Sequence, residues 1–224
     1  SYVNRYSNVR YCTQSELGLS RARNLGWQTA HGQYVAYIDD DCRVPPQWLT
    51  VAAKIIDQEA PGAFGGPIHA QVGHTRPRWF KEDYGIHQPF DRAKRLQNEQ
   101  DITRIFGGNA FFRRDLLIDL GGFDPELSMV GDKISFGEDT ALLKQLHTTH
   151  PEEVIYFDPD LYLHHLMRPV TMTWRYSIPA TFEAGRVQYK QNTVGYAVQG
   201  GKFALRIKSL KTVMTLGLDL PVSY

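Results

Sequence analysis

Short apolar runs alternate along the chain with stretches whose apolar residues recur at helical spacing. The strand-like runs cover residues 34–38, 64–72, 105–112, 153–157 and 161–165. The helical stretches cover residues 18–30, 48–60, 113–120, 138–146 and much of the chain after residue 170. This alternation predicts an α/β fold, with a mixed, mainly parallel sheet and helices on both of its faces. We expect one domain over residues 1–170 and a mostly helical extension over residues 171–224.

The composition narrows the class of protein. Of the 224 residues, 42% are hydrophobic and 22% are charged, which is typical of a soluble globular chain. The net charge of +1 gives no basic field for nucleic acid, which we exclude as a partner. Cys12 and Cys42 suggest neither a metal motif nor a disulfide framework, and no run of 18 apolar residues occurs. We therefore expect a cytoplasmic protein.

The most informative stretch is the apolar run 34–38, which ends in three consecutive carboxylates, Asp39, Asp40 and Asp41. In open α/β sheets, ligands bind just beyond the carboxyl ends of strands. A divalent cation such as Mn²⁺ or Mg²⁺ would explain three acids there, because it prefers oxygen ligands and shares them with substrate phosphates. The alternative is an acidic turn that caps the next helix. We expect these residues at the carboxyl end of a central strand.

Other charged residues have open interpretations. Arg21 and Arg23 lie two positions apart on a predicted helix, so they leave it in different directions. One could face an anion, or both could be solvated. Glu138 and Asp139 open a helical stretch, where the helix dipole and free N–H groups stabilise acidic side chains. That local role is sufficient to explain the pair unless a site lies nearby.

Two adjacent histidines end an extended run. Only one of His164 and His165 can face a given side of a strand. A histidine that ends a strand opposite an acidic triplet is a candidate metal ligand.

The last part of the chain mixes basic and apolar residues. Between Lys202 and Leu218 this pattern fits a helix lying along a membrane surface, at the inner face of the membrane. It equally fits a helix docked on the domain, which we prefer.

Taken together, six short motifs resemble the family 2 nucleotide-sugar-dependent glycosyltransferases, which have the Rossmann-like GT-A fold. Each motif alone is weak, but all six follow the family's order with plausible spacing. They run from Gly18 to His165: Gly18 with Ala22-Arg-Asn24 and Gly26, Ile38-Asp-Asp-Asp-Cys42, Gly107-Gly-Asn-Ala110, Gly121-Gly-Phe-Asp124, Gly137-Glu-Asp-Thr140 and His165.

The resemblance implies an inverting transfer of a sugar from a nucleotide-diphosphate donor to a hydroxyl of a glycan or lipid-linked acceptor. Mn²⁺ or Mg²⁺ would assist, and UDP-sugars are the first donors to consider. The implied roles are metal binding by Asp41 and His165 (with His164 as the alternative), donor binding by Arg23, Asn24, Asp39 and Asp40, acceptor binding by Gly107, Gly108 and Asn109, and base catalysis by Asp139 with Glu138 beside it.

The chain departs from the family pattern at its start. The family's first strands and helix hold the nucleotide base, and nothing before Gly18 resembles them. We therefore expect roughly 60 to 100 further residues before Ser1 in the parent protein, at ~30 or more per βαβ unit.

Two other classes of protein stay open. A sugar-nucleotide nucleotidyltransferase shares the sheet type and the metal, but would need a glycine-rich basic loop near its start, which is not seen here. A non-catalytic or truncated carbohydrate- or nucleotide-binding module would explain the missing nucleotide elements.

Overall fold

The computed structural model describes residues 5–73, 75–80, 89–127 and 137–193. In these ranges the helices are α1 (Leu19–Thr29), α2 (Trp48–Glu59), α3 (Glu99–Ile102), α4 (Arg114–Leu120), α5 (Glu138–Thr149) and α6 (Trp174–Thr193). The strands are β1 (Tyr34–Ile38), β2 (Cys42–Arg43), β3 (Ala63–Gly65), β4 (Ile68–Val72), β5 (Lys94–Leu96), β6 (Asn109–Arg113), β7 (Ile155–Phe157) and β8 (Leu163–Met167). Short 3₁₀ turns lie at Pro125–Leu127 and Pro169–Met172.

The larger sheet has the strand order β1-β6-β3-β7-β5. Strands β1, β3 and β7 run in one direction and β6 and β5 in the other. The predicted α/β class with a mixed sheet is confirmed. Parallel pairing is less frequent than expected. Strands β1 and β3 run in the same direction but do not pair with each other, because β6 lies between them and pairs antiparallel with both. In the described sheet β1 is also an edge strand, where we expected a central one.

A smaller sheet brings the acidic turn next to the histidines. Its order is β2-β8-β4, and β2 begins directly after Asp41. Cys42 is opposite His165, and Arg43 is opposite His164. The two histidines therefore lie on opposite faces of β8, as alternation along a strand requires.

Helices cover both faces of the larger sheet, as predicted. Adjacent residues of β6 show this, because Phe112 packs in the cluster with α1, α4 and α5, whereas Phe111 packs with Trp48 of α2. Both phenylalanines are buried. Phe111 also stacks on Phe64 of β3, with ring centroids 4.5 Å apart. The sheet thus separates two apolar layers. Its faces are covered by helices, so a site is expected at the ends of its strands.

One buried amide connects the sheet to α2. Asn109 is fully buried, and its Nδ2 donates to the carbonyls of Pro67 and Leu161 at 3.1 and 2.7 Å. Its Oδ1 accepts a 3.0 Å hydrogen bond from Nε1 of Trp48, which is 3% exposed. These bonds join the start of β6 to α2 and to both segments that lead into β4 and β8.

After the 3₁₀ turn at Pro169–Met172 the chain continues as the helix α6, which is described as far as Thr193, and a mostly helical extension over residues 171–224 stays a prediction. The domain boundary at residue 170 stays a prediction. The stretch Lys202–Leu218 lies outside the described residues, so the docked helix that we prefer and the alternative of a membrane-surface helix both rest on its sequence. Among the helices described, none combines the length and the apolar character needed to cross a bilayer.

Replacing Asn109 by Ala should destabilise the fold strongly. The change would leave the buried indole N–H of Trp48 and the carbonyl of Leu161 without these partners, at ~1–3 kcal/mol each, whereas the carbonyl of Pro67 would keep the amide of Leu163. We expect the free energy of unfolding, measured by denaturant titration, to fall by about 3 kcal/mol or more. Gln71→Ala, at an exposed position on β4, is the matched control and should stay within about 0.5 kcal/mol. Equal effects of the two variants would contradict this account of Asn109.

Candidate active site

The acidic turn, residues 39–41, follows β1 directly, and its three carboxylates differ in their exposure to solvent. The side chain of Asp40 is 94% exposed and that of Asp39 is 42% exposed, but that of Asp41 is only 15% exposed. The amide of Cys42 donates to the carbonyl of Asp39 at 3.1 Å and closes the turn. The three acids therefore face different surroundings, and one ligand cannot be assumed to contact them all.

A buried ion pair lies behind Asp39. Nη1 of Arg23, on α1, is 2.6 Å from Oε1 of Glu138, at the start of α5, and the two side chains are 8% and 7% exposed. Nη2 of the same guanidinium is 3.5 Å from Oδ1 of Asp39. Arg21 points away and pairs with exposed Glu16, so the two arginines do leave α1 in different directions.

Burial governs the charge of Glu138. Desolvation raises its pKa above the ordinary value, the neighbouring Asp139 raises it further, and Arg23 acts in the opposite direction. Glu138 is thus held in its place by Arg23 and has little contact with solvent. This position suits a residue that fixes its neighbours.

Asp139 is more accessible than Glu138 and lies beside the glycine pair. Its Oδ2 accepts a 2.8 Å hydrogen bond from the amide of Gly107, and its Oδ1 accepts one from the amide of Thr140 at 2.7 Å. Its side chain is half-buried. The carboxylate is therefore oriented by two backbone N–H groups, one from its own helix and one from the loop before β6.

Close backbone approach explains the two glycines. A Cβ on Gly107 would lie 2.7 Å from Nη1 of Arg23, and a Cβ on Gly108 would lie 2.6 Å from Oδ2 of Asp39. Neither position can hold a side chain without displacing a charged neighbour. The loop 107–108 thus brings Arg23, Asp39 and Asp139 together.

A second cluster, on the other side of the acidic turn, is a candidate metal site. Oδ1 of Asp41 is 3.1 Å from Nε2 of His165, and ligand atoms of Asp41, Cys42 and His165 all lie within 4.8 Å of one another. Burial and the nearby carboxylates raise the pKa of the Cys42 thiol to about 11. A carboxylate and an imidazole are donors that Mn²⁺ accepts, and Mg²⁺ can use the carboxylate with substrate oxygens. The residues present therefore fit such a cation.

Arg168 belongs to the same cluster, although the sequence did not single it out. Its Nη2 and Nε lie 2.7 and 3.1 Å from Oδ2 of Asp41. The same Nη2 is 3.7 Å from Oδ1 of Asp40. In the sequence, Arg168 comes three residues after His165 and directly before Pro169, and this position alone does not indicate its partner. Because β8 continues two residues beyond His165, Arg168 follows the strand end beside the acidic turn.

Two predicted substrate contacts do not match the observed geometry. The Oδ1 of Asn24 accepts from the amide of Phe123 and from Nε1 of Trp27, and its Nδ2 donates to the carbonyl of Phe123. Asn24 therefore fixes the turn after α4 instead of facing a donor. Asn109 is fully buried with its amide engaged by the protein, so it does not face an acceptor. Both amides are internal cross-links.

Comparison with known proteins gives the family. The model of "Glycosyl transferase family 2" matches residues 1–121, more than half of the chain. The chain belongs to this family. The chain is 25% identical over 149 residues to the glucosyl-dolichyl phosphate glucuronosyltransferase of Haloferax volcanii, covering 66% of this chain and 48% of the relative. It is 28% identical over 155 residues to the succinoglycan biosynthesis protein ExoM of Rhizobium meliloti, covering 69% and 46%.

The chain spans about half the length of these curated relatives. Among solved structures it is similar to residues 1–349 of S. aureus TarS, determined in complex with UDP-GlcNAc. The TM-score is 0.53 at 17% identity, and the match covers 96% of this chain and 68% of that one. This likeness concerns the fold, and the α/β fold of GT-A type expected from the sequence is confirmed.

Substituting Gly107 by Ala should destabilise the protein. The new Cβ would push Arg23 away from Glu138, and overpacking of this kind costs ~1–3 kcal/mol. Gly26→Ala is the matched control, because nothing lies within 4 Å of a Cβ there and the residue is inside α1. This control should gain ~0.5–1 kcal/mol. Denaturant unfolding of both variants measures the difference, and a neutral Gly107→Ala would contradict the close approach.

Proposed function

We propose that this protein transfers a sugar from a nucleoside-diphosphate donor to a hydroxyl of a glycan or lipid-linked acceptor, with inversion at the anomeric carbon. The observation that carries the proposal is the position of Asp139. Its oriented, half-buried carboxylate lies at the start of α5, beside Gly107 and next to the Arg23–Glu138 pair. Arg23 in turn contacts Asp39 in the acidic turn that carries Asp41. The candidate base, Asp139, and the candidate diphosphate site at the acidic turn are thus connected through Glu138, Arg23 and Asp39.

On the donor side, the proposed contacts come from the acidic turn. Asp39 and Asp40 have exposed carboxylate surface that can accept hydrogen bonds from the hydroxyls of a ribose or a sugar. Asp41 and His165 would hold Mn²⁺ or Mg²⁺. When bound, the cation would neutralise the charge that grows on the leaving diphosphate. Arg23, being buried, would act on the donor through Asp39.

On the acceptor side, Asp139 would take the proton. The acceptor oxygen forms a bond to the anomeric carbon as the bond from that carbon to the diphosphate oxygen breaks. The proton of the acceptor hydroxyl passes to the carboxylate of Asp139. A single displacement of this kind inverts the anomeric centre. Glu138 keeps Arg23 in place and does not touch the acceptor.

The names of the relatives support the same class of reaction. One is called a glucuronosyltransferase that acts on a glucosyl-dolichyl phosphate, and the other a succinoglycan biosynthesis protein. A lipid-linked or polysaccharide acceptor is therefore the first acceptor class to test. A place at a membrane surface would suit a lipid-linked acceptor and belongs to the same proposal.

A donor screen tests this function directly. The purified protein is incubated with UDP-, GDP- and dTDP-sugars, with and without Mn²⁺ or Mg²⁺, and release of the nucleoside diphosphate is measured. We expect slow, metal-dependent hydrolysis of one donor class. Binding without hydrolysis would favour a non-catalytic binding module. Formation of a nucleotide sugar from a sugar phosphate and a nucleoside triphosphate would indicate a nucleotidyltransferase instead.

Asp139→Asn should separate the base from its neighbour. The amide keeps the volume and one hydrogen-bond acceptor but cannot take the proton, so the transfer rate should fall by ~10² to 10⁴. Donor affinity should stay nearly unchanged, because the base acts on the acceptor. Single-turnover transfer and calorimetric donor titration measure the two quantities.

Glu138→Gln is the matched control for that variant. It should lower the free energy of unfolding, because it leaves the buried Arg23 without a full counter-charge. Its effect on the transfer rate should be smaller than that of Asp139→Asn. The reverse order of rates would assign the base to Glu138. No loss of transfer rate in either variant would show that the pair is only structural.

A further inference from the structure

Arg168 occupies the carboxylate that a cation would need. Oδ1 of Asp41 faces His165 at 3.1 Å, and Oδ2 faces Nη2 and Nε of Arg168 at 2.7 and 3.1 Å. Both oxygens of Asp41 are thus in contact with side-chain nitrogen atoms. A guanidinium in this position repels a divalent cation that approaches the same carboxylate. Arg168 and the cation therefore compete for Asp41.

The guanidinium is able to leave. The side chain of Arg168 is 57% exposed, whereas that of Asp41 is 15% exposed. Ion pairs with such exposure are weak, since solvent screens them and the long side chain loses entropy when it is held. Arg168 also follows the last residue of β8, and its other acidic neighbour, Asp40, is almost fully exposed. Release from Asp41 should thus cost little.

A donor diphosphate would offer Arg168 a new partner. The guanidinium has a fixed fork of N–H groups that matches two phosphate oxygens. Arg168 lies within reach of two acids of the turn at which the diphosphate is proposed to bind. Moving from a carboxylate to a nearby diphosphate keeps the positive charge paired.

We propose that Arg168 is a positioning residue that exchanges partners: it binds Asp41 in the absence of substrate and the donor diphosphate once the cation holds Asp41. This inference rests on the proposed function, since it assumes a nucleoside-diphosphate donor. Its consequence is cooperative binding, because each ligand favours the released position of Arg168 and so strengthens binding of the other. Cation alone binds weakly, and cation with nucleotide binds well.

Two binding measurements on Arg168→Gln test the exchange. Without nucleotide, Mn²⁺ affinity, measured by the decrease of the free Mn²⁺ electron paramagnetic resonance signal, should rise by about tenfold, as expected when a competing charge is removed. With Mn²⁺ saturating, affinity for UDP, GDP or dTDP, whichever the protein binds, should fall by about tenfold or more in calorimetric titration. Opposite signs in the two arms distinguish the exchange from a purely structural role.

Two controls accompany this variant. Arg175→Gln removes the same charge from an exposed position on α6 and should change neither affinity by more than about twofold. Arg168→Lys keeps the charge but not the fork, so its Mn²⁺ affinity should stay near that of the wild type while its nucleotide affinity falls.

The outcomes separate this inference from the proposed function. Unchanged Mn²⁺ affinity in Arg168→Gln, or a decrease, would overturn the exchange even where the wild type binds Mn²⁺ and a nucleoside diphosphate normally. A wild type that binds Mn²⁺ but none of the three nucleotides would overturn both the exchange and the proposed function. A wild type that binds no Mn²⁺ would overturn the exchange and leave donor binding to be judged by the hydrolysis screen.

Discussion

The buried ion pair between Arg23 and Glu138 holds the candidate site together. The two side chains come from α1 and α5, are separated by 115 residues and meet at 2.6 Å with almost no exposure. Removing one partner of such a pair costs ~3–5 kcal/mol, because the other charge stays buried. The guanidinium of Arg23 also fills the space that a side chain at Gly107 would need, and it contacts the carboxylate of Asp39. The buried carboxylate of Glu138 therefore helps to position the accessible carboxylate of Asp39, through Arg23.

The acidic turn links two sets of residues with different chemistry. Asp39 lies next to Arg23 and Gly108. Asp41 contacts His165 and Arg168 instead. The turn is short enough to connect these sides and is closed by the amide of Cys42. A donor bound across the turn would meet a cation site at one end and the neighbourhood of Asp139 at the other. This arrangement is the physical basis of the proposed transfer.

Local patterns were sufficient to predict much of this structure. The end of β1 at the acidic turn, the end of α4 at Leu120 and the acidic start of α5 all follow from residues close in sequence. The insertion of β6 between β1 and β3, the contacts of Asn24 and Asn109, and Arg168 on Asp41 were missed. These depend on partners 42 to 127 residues away, which no periodicity encodes.

Pulsed electron paramagnetic resonance of Mn²⁺ bound together with a nucleoside diphosphate tests the central claim most directly. We expect one Mn²⁺ coupled both to ³¹P of the diphosphate and to ¹⁴N of an imidazole. The ¹⁴N coupling should disappear in His165→Asn and persist in His164→Asn, because the two histidines face opposite sides of β8. Coupling to ³¹P without ¹⁴N in the wild type, or loss of ¹⁴N only in His164→Asn, would contradict the proposed site.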